Sequence, residues 1–360
     1  MLYTMPRLSP FRPDLDELDQ LHEQLAERTS QARPWLVRLR RQGRAAAARS
    51  AAGVEGYRVS PAVAEAVVEG RALATDRAER VVSSYALAMQ HVAVLAEDAA
   101  FEWSTRLLLD LHFESCSREP RACPGRWRGG PVWMTAPEGG AAYQAPPAED
   151  VPENVEALVA WLSDGDLDAP VVVRAAMAHL HLVSIHPFAD GNGRLAGILQ
   201  SLVLARGGVS GPDLGTVQER FARDPGRYYA ALRDVLGGSF QPQRSAATWV
   251  AFCVEAHLVL ARERLALLDR AMERWSALEE LVAARGLPSR LTVALEQSLS
   301  EGVDRSSYAA ETGVAAATAS ADLRRVLDAG LVVRVGQARH TRYLASESLR
   351  SLASAGAPTP

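Results

Sequence analysis

The feature that most constrains the fold is a single interruption in a chain that otherwise shows helical periodicity. Segments rich in Ala and Leu repeat their apolar residues at helical spacing before and after residues 185–197, IHPFADGNGRLAG. Pro and Gly destabilise helix interiors, so one helix must end in this stretch and another must begin. The chain is therefore predicted to be mainly α-helical, with a sharply bent loop at this point.

Composition limits the class of protein. The 360 residues are 48% hydrophobic and 23% charged, which is ordinary for a globular chain with a substantial core. The net charge of -4 argues against a protein that coats nucleic acid along its length, although a local basic patch is compatible with it. The three cysteines have no metal-ligand spacing and favour a reducing compartment. With no leader pattern and no apolar run of about 18 residues, we expect a cytoplasmic protein without a membrane span.

Residues 119–152 differ in composition from the helical segments. They hold much of the Pro and Gly of the chain, and short extended pieces occur at PVWM and AAYQA. Aromatic residues punctuate the region, which favours an ordered loop over a linker. We therefore predict a small β-hairpin here.

A second domain is predicted after a boundary near residues 286–288. Its pattern is a short helix, a turn at Gly313, a helix from about Ala316 to Leu327, and two strands flanking Gly336. Helix-turn-helix followed by a hairpin is typical of a winged helix. Positive charge is concentrated on the second helix and the wing, in Arg324, Arg325, Arg334, Arg339 and Arg342. They suggest contacts to DNA phosphates, although wings also dock proteins.

The predicted organisation has four parts. Residues 1–95 form an N-terminal helical extension, 96–285 the main helical domain, 286–346 the winged helix, and 347–360 a disordered tail.

The interrupting loop carries residues suited to acid–base chemistry. His186 precedes Pro187, and a residue before proline is pushed out of the α region, so the helix should end near Ser184. His186 then lies at the mouth of the loop and can act as a base near neutral pH. Phe188 is expected to anchor the loop in the core.

The second half of the loop is suited to binding phosphate. Its anion cradle is predicted from Gly191, Asn192 and Gly193. These residues lead into a helix near Arg194, and a Gly-rich turn at a helix N-terminus presents backbone N–H groups to an anion. The Arg194 guanidinium adds donors for phosphate oxygens. Asp190 supplies a carboxylate of the kind that holds Mg²⁺ on phosphates. Together these residues predict phosphoryl-group chemistry.

At this point the sequence resembles a known family. HPFADGNGR is similar to the signature of Fic-domain proteins, and the hairpin region and the upstream AAGVEGYRVS resemble neighbouring segments of that family. The C-terminal winged helix resembles a frequent companion domain. The resemblance implies an all-α Fic fold that transfers AMP from ATP to a Ser, Thr or Tyr hydroxyl of a target protein.

The same resemblance assigns roles to residues. His186 would take the hydroxyl proton, Asp190 would hold Mg²⁺, the cradle would bind the phosphate, and Arg194 would neutralise it. The flap of the hairpin, Val132, Trp133 and Met134, would add a target segment as a strand. Tyr228 and Tyr229 would border the nucleotide pocket.

The sequence departs from the family pattern at position 197. The signature has a second arginine there, where this chain has Gly197, so Gly197→Arg is expected to tighten ATP binding. In many members of the family an upstream segment with a Glu-Gly pair inhibits the enzyme, and its Glu pairs with that second arginine. Glu55-Gly56 matches the pair, but the missing arginine predicts that Glu55 faces no cation. Glu55 either inhibits or caps a helix end.

Two other readings remain open. The first alternative, favoured by Gly197, is a DNA-binding regulator whose Fic domain binds a nucleotide without turning it over. The second alternative is a Fic transferase that uses another nucleotide donor. The sequence leaves the target and the oligomeric state open, a homodimer included. His179 and His181, two residues apart on one helix, are expected to be one core and one surface histidine, not metal ligands.

Overall fold

A computed structural model describes residues 2–135, 141–209, 214–300, 302–337 and 341–354. The described chain is mainly helical with two antiparallel two-stranded sheets, as predicted. The first eight helices are α1 (Arg12–Thr29), α2 (Pro34–Val54), α3 (Pro61–Val68), α4 (Arg77–Glu97), α5 (Thr105–Cys116), α6 (Val151–Asp164), α7 (Val171–Ile185) and α8 (Asn192–Arg206). They are followed by α9 (Gln218–Arg223), α10 (Pro225–Leu236), α11 (Ala247–Ala284), α12 (Leu291–Ser298), α13 (Arg305–Thr312), α14 (Ala316–Asp328) and α15 (Glu347–Ser354). The strands are β1 (Trp133–Thr135), β2 (Ala141–Gln144), β3 (Val332–Val335) and β4 (Arg342–Ala345). No described helix is long and apolar enough to cross a membrane.

The chain divides into two compact units at places that differ from the predicted boundaries. The first unit comprises residues up to 27 and 39–262, and the second comprises 28–38 and the chain from 263 onward. Helix α11 runs unbroken through the division, and its last turns contribute Leu278 and Val282 to the core of the second unit. The predicted N-terminal extension belongs largely to the first unit.

The core of the first unit is built around α8. Helices α7, α4 and α5 pack on it, and its residues are buried on all faces. The buried apolar side chains of α8 include Leu195, Ile198, Leu199 and Leu202. Burial on all faces makes α8 a core helix, and each of these apolar side chains contributes about 1.5–3 kcal/mol when fully buried. The loop that precedes α8 is therefore attached to a helix buried in the core of the unit.

Side-chain caps fix where two neighbouring helices begin. The Asp76 carboxylate accepts from Glu79 N at 2.8 Å, which makes Arg77 the first residue of α4. The Ser104 hydroxyl accepts from Leu107 N at 3.1 Å at the start of α5. Each cap satisfies a backbone N–H that the first helical turn leaves without a partner.

The predicted hairpin is present. Strands β1 and β2 pair with Trp133 opposite Gln144 and Met134 opposite Tyr143, with an irregularity after Met134. The Tyr143 hydroxyl donates to Ser184 O at 2.6 Å, so the hairpin is fixed to the last turn of α7. Its turn, residues 136–140, lies outside the described residues.

The second unit contains the elements predicted for the C-terminal region at the predicted positions, and their assignment as a winged helix stays a prediction. Asp304 and Ser307 form a reciprocal capping box at the start of α13, and Gly313 ends that helix at φ 69°. The buried Asp322 carboxylate accepts from Arg290 Nε at 2.7 Å and from the Tyr308 hydroxyl at 3.0 Å.

The prediction of a disordered tail over 347–360 is wrong for its first half. Residues Glu347–Ser354 form α15, because Leu349 is buried in the core of the second unit. Residues 355–360 and Arg339 lie outside the described residues.

Candidate active site

The loop after α7 begins with a strained residue. Helix α7 ends at Ile185, one residue beyond the predicted end, and His186 adopts a left-handed conformation at φ 50° and ψ 57°. Its N–H donates to Leu182 O at 2.9 Å, which closes the helix. Phe188 is fully buried, as predicted, and its ring stacks on His112 at 3.6 Å between ring centres. The anchored phenylalanine holds the loop in place, and surrounding structure of this kind maintains a residue with φ above zero.

His186 is held as a neutral base. Its Nδ1 lies 3.1 Å from Val183 O, and because a carbonyl can only accept, Nδ1 carries the hydrogen. Burial lowers the pKa of His186 to about 4, against the opposing effect of the Val183 hydrogen bond. The Nε2 atom is therefore unprotonated near neutral pH and can accept a proton.

Arg128 ties this loop to the base of the hairpin. Its Nε donates to His186 O at 2.8 Å, and its backbone N–H donates to Pro187 O at 3.0 Å. Its Nη atoms donate to Gly130 O at 2.8 Å and Pro146 O at 2.6 Å, on the two sides of the hairpin. Arg128 is not among the site residues predicted from the sequence, although it lies in the GRWRGG segment before the first strand.

His112 supports the other half of the loop. Its Nδ1 accepts from Gly125 N at 3.0 Å, so Nε2 carries the hydrogen and donates to Asp190 O at 3.0 Å. Burial lowers the pKa of His112 to about 4, which keeps the ring neutral. Nothing in the local sequence distinguishes this histidine, because both partners are distant along the chain.

The three residues of the predicted cradle serve different purposes. Gly191 has φ 77°, and a Cβ on it would collide with Cys116 Sγ. Asn192 is buried, and its amide closes the loop by accepting from Phe188 N at 3.0 Å and donating to Phe188 O at 2.9 Å. A Cβ on Gly193 would meet nothing within 4 Å, so the space above it is open. The first-turn N–H groups of α8 lack intrahelical partners, and such groups favour a negative charge.

Arg194 is placed differently from the prediction. Its side chain is 1% exposed, and its Nε donates to the Glu55 carboxylate at 2.9 Å. Its Nη1 donates to Ser115 O at 3.1 Å and to the Glu119 carboxylate. Burial disfavours the charged guanidinium, but the carboxylates of Glu55 and Glu119 outweigh it and raise the pKa of Arg194. Two carboxylates already neutralise the arginine that was expected to neutralise a phosphate.

The prediction that Glu55 faces no cation is therefore wrong. Glu55 follows the end of α2, and its side chain, 21% exposed, reaches Arg194 from a position 139 residues earlier in the chain. Burial raises the pKa of Glu55 to about 7, while Arg194 opposes that shift. The tertiary structure supplies a partner that the motif spacing did not.

Gly197 is a packing position. A Cβ there would collide with the side-chain amide of Gln218, which is buried at the start of α9. Neither amide atom of Gln218 has a hydrogen-bond partner among the described residues. An arginine at position 197 would have to displace Gln218 before it could reach the loop.

Asp190 is half exposed at the edge of the loop. Its Oδ1 accepts from Gly191 N at 2.7 Å, and its Oδ2 lies 3.9 Å from Arg77 Nη2. The described residues contain no group of three or more His, Cys, Asp or Glu side chains that could hold a metal. The single carboxylate of Asp190 fits a Mg²⁺ ion whose other ligands are substrate phosphates and water, which is a usual mode of binding for that ion.

The remaining candidates are three core residues and one partly buried tyrosine. His179 and His181 are both buried, so the expectation of one surface histidine is wrong. His179 Nε2 lies 3.2 Å from the Tyr228 hydroxyl, and Tyr228 is buried in the core. Tyr229 instead donates to Val54 O at 3.2 Å and so braces the segment that carries Glu55.

A neutral histidine, an exposed carboxylate and a helix N-terminus thus meet at one loop of a helical scaffold. Comparison with known proteins identifies the class. Residues 102–204 match the Fic/DOC family, and the chain therefore contains a Fic/DOC family domain.

Curated proteins that are similar to this chain carry the name protein adenylyltransferase. The chain is 39% identical over 95 residues to protein adenylyltransferase fic-1 of Caenorhabditis elegans, covering 26% of this chain and 18% of that protein. It is 34% identical over 121 residues to protein adenylyltransferase Fic of Nematostella vectensis, covering 33% and 25%. The chain thus spans about a quarter or less of the length of these curated relatives.

A solved structure shares the fold over nearly the whole chain. It is a Fic family protein from Desulfovibrio desulfuricans G20, with a TM-score of 0.60 and 21% sequence identity. The match covers 93% of this chain and 96% of that one. At this identity the likeness establishes the fold alone.

Proposed function

We propose that this protein transfers AMP from ATP to a hydroxyl side chain of a target protein. The observation that carries the proposal is the neutral His186, whose unprotonated Nε2 lies at the loop that leads into the open N-terminus of α8. Relatives named as adenylyltransferases and the Fic/DOC domain support transferase chemistry in general.

The chemistry follows from the arrangement. The target oxygen attacks the α-phosphorus of ATP, the bond to pyrophosphate breaks, and the hydroxyl proton passes to His186 Nε2. Removing that proton in the transition state contributes about 10²–10⁴-fold in rate. The N–H groups at the start of α8 stabilise the negative charge that develops on the phosphate. Asp190 would hold Mg²⁺, which neutralises phosphate charge when bound.

The hairpin is suited to present the target. Strand β1 pairs with β2 and with no other strand in the part of the chain that the structure describes. Its other edge can therefore receive an extended segment, with Val132, Trp133 and Met134 beside it. Because Arg128 and Tyr143 fix the hairpin to the end of α7, a strand added there would be held in register with His186.

We propose further that Glu55 restrains the site in the resting protein. The Glu55–Arg194 ion pair occupies an arginine in the first turn of α8, where phosphate would bind. This arrangement also favours the rival function, a regulator that binds a nucleotide without turnover, since the charge of Arg194 is already balanced by Glu55 and Glu119.

The deciding experiment is incubation of the protein with α-labelled ATP, GTP, UTP and CTP, followed by detection of labelled protein. Label from ATP that depends on His186 supports AMP transfer, and label from another nucleotide supports a different donor. Nucleotide binding without label from any of the four, in wild type and in Glu55→Gly, supports the regulator and contradicts the transferase. His91→Ala is the matched control, because His91 is a partly exposed histidine paired with Glu114.

A further inference from the structure

The charges around the loop are unbalanced for binding a polyphosphate. Three carboxylates, Glu55, Glu119 and Asp190, surround the start of α8. The guanidinium of Arg194 is buried there and is already hydrogen-bonded to two of them and to Ser115 O. A nucleotide triphosphate that approaches this loop brings about four further negative charges, so a further cation beside the Mg²⁺ that Asp190 would hold favours its binding.

Arg77 is the cation that the structure places at this point. It is the first residue of α4, its side chain is 56% exposed, and its Nη2 lies 3.9 Å from Asp190 Oδ2. Its Nη2 and Nε donate to Glu119 Oε2 at 3.2 and 3.3 Å. These distances exceed the 2.7–2.9 Å of a strong charge-assisted pair, so the contact is one that a better anion can replace.

The surroundings of Arg77 leave it both positioned and accessible. Its guanidinium lies over the Tyr57 ring at 5.2 Å, and that ring follows the Glu55-Gly56 segment. Glu119 joins Arg77 to Arg194, because its two oxygens accept from one arginine each. An arginine held in this way loses less conformational freedom on binding than a free side chain does.

We propose that Arg77 binds the phosphate chain of the nucleotide and sets the preference of the site for a triphosphate over a monophosphate. The inference rests on the proposed function, since it concerns the same loop. In the bound state Arg77 exchanges its long contacts to Glu119 for phosphate oxygens. Position 197 and the engaged Arg194 provide no comparable exposed guanidinium.

The test is calorimetric binding of ATP, ADP and AMP to the full chain, in wild type and in Glu55→Gly. Arg77→Ala should weaken ATP binding by about 10- to 100-fold, the effect of losing a charge-assisted hydrogen bond, and AMP binding by much less. Arg77→Lys should restore part of the loss. Arg106→Ala is the matched control, because Arg106 is an exposed arginine paired with a carboxylate, Asp110.

Two outcomes would overturn the inference. Unchanged ATP affinity in Arg77→Ala is one, and equal weakening of ATP and AMP is the other, since that marks a merely structural role. Arg77→Ala/Glu119→Gln separates direct contact from charge balance. If that double variant regains the wild-type ratio of ATP to AMP affinity, Arg77 acts only by neutralising Glu119 and the proposal is wrong.

The proposed function can fail separately. ATP binding that depends on Arg77 without label transfer would contradict AMP transfer and support Arg77. Label transfer and ATP affinity that are both unchanged in Arg77→Ala would support AMP transfer and contradict the role of Arg77. Absence of ATP binding in both backgrounds would contradict both.

Discussion

At the residue scale, the chemistry of this site depends on how single hydrogen bonds set protonation and charge. Val183 O fixes the His186 tautomer, Gly125 N fixes that of His112, and Glu55 occupies Arg194. None of these partners is part of the signature motif. Val183 and Glu55 act directly on the motif residues His186 and Arg194, and Gly125 acts through His112, which donates to Asp190 O.

His186→Ala should abolish label transfer, a loss of about 10²–10⁴-fold, and leave ATP binding nearly intact. The pH dependence gives a second readout. Because the pKa of His186 is lowered to about 4, the base is unprotonated at higher pH, so the transfer rate should stay level at neutral pH and fall as pH approaches 4. The profile is best measured in Glu55→Gly, which removes the titration of Glu55. A rate that halves near pH 6.5, the ordinary histidine value, would contradict the assigned environment.

Glu55→Gly should raise label transfer by about 10-fold or more, since it frees Arg194 from a charge-assisted contact. Glu55→Gln should activate less, because it keeps a hydrogen-bond acceptor without the charge. The pKa of Glu55 is raised to about 7, so its charge is complete only above that pH. The advantage of Glu55→Gly over wild type should therefore shrink as pH falls below 7. Glu69→Gln, which removes a carboxylate paired with Arg41 and Arg71, is the control and should change nothing.

At the element scale, α8 and its neighbours decide which substitutions the site tolerates. Gly197 shows this, because the Gln218 side chain occupies the space that a side chain on Gly197 would need. The expectation that Gly197→Arg tightens ATP binding ignored this contact between α8 and α9.

Gly197→Ala should lower the free energy of unfolding, because the buried Gln218 amide has to move. In a Gln218→Ala background the same change should instead stabilise by up to about 1 kcal/mol, the helix-propensity difference between Ala and Gly. The measurement is a double-mutant cycle on urea unfolding of the full chain. Gly193→Ala serves as the control, since a Cβ there meets nothing within 4 Å. If Gly197→Ala alone stabilises the protein, Gln218 moves aside at little cost and the prediction is wrong.

At the scale of the whole molecule, the division into two units determines how the C-terminal region has to be tested. A fragment that began at Pro288 would lack Leu278 and Val282, which are buried in the core of the second unit. Binding experiments therefore require the full chain.

The winged-helix prediction leads to one such experiment. Arg324 and Arg334 are exposed on α14 and β3. If this surface contacts DNA phosphates, duplex affinity should fall steeply between about 50 and 200 mM salt, on the order of 10³-fold for several contacts. Arg324→Ala/Arg334→Ala should reduce the slope of that dependence by about 2. Arg12→Ala/Arg106→Ala removes two exposed arginines of the first unit and is the matched control. Equal slopes for both double variants would favour a protein-docking surface.

The sequence by itself determined what local backbone physics controls. Helical periodicity, the proline after His186, and Gly191 at a position that needs φ above zero specified two helices and the loop between them. The hairpin and the helices of the C-terminal region followed from the same kind of signal. These features depend on neighbours within a few residues, so their spacing in the chain is enough to predict them.

Only the tertiary structure decided the charges and the packing at the site. Glu55 reaches Arg194 across 139 residues, and Glu119 reaches it across 75. His112 and Arg128 hold the loop from 78 and 58 residues away. Gln218 lies on a separate helix from the glycine that accommodates it. Periodicity shows which face of a helix is buried but not which residue of another element lies against it, and that choice determines which carboxylates surround Arg194.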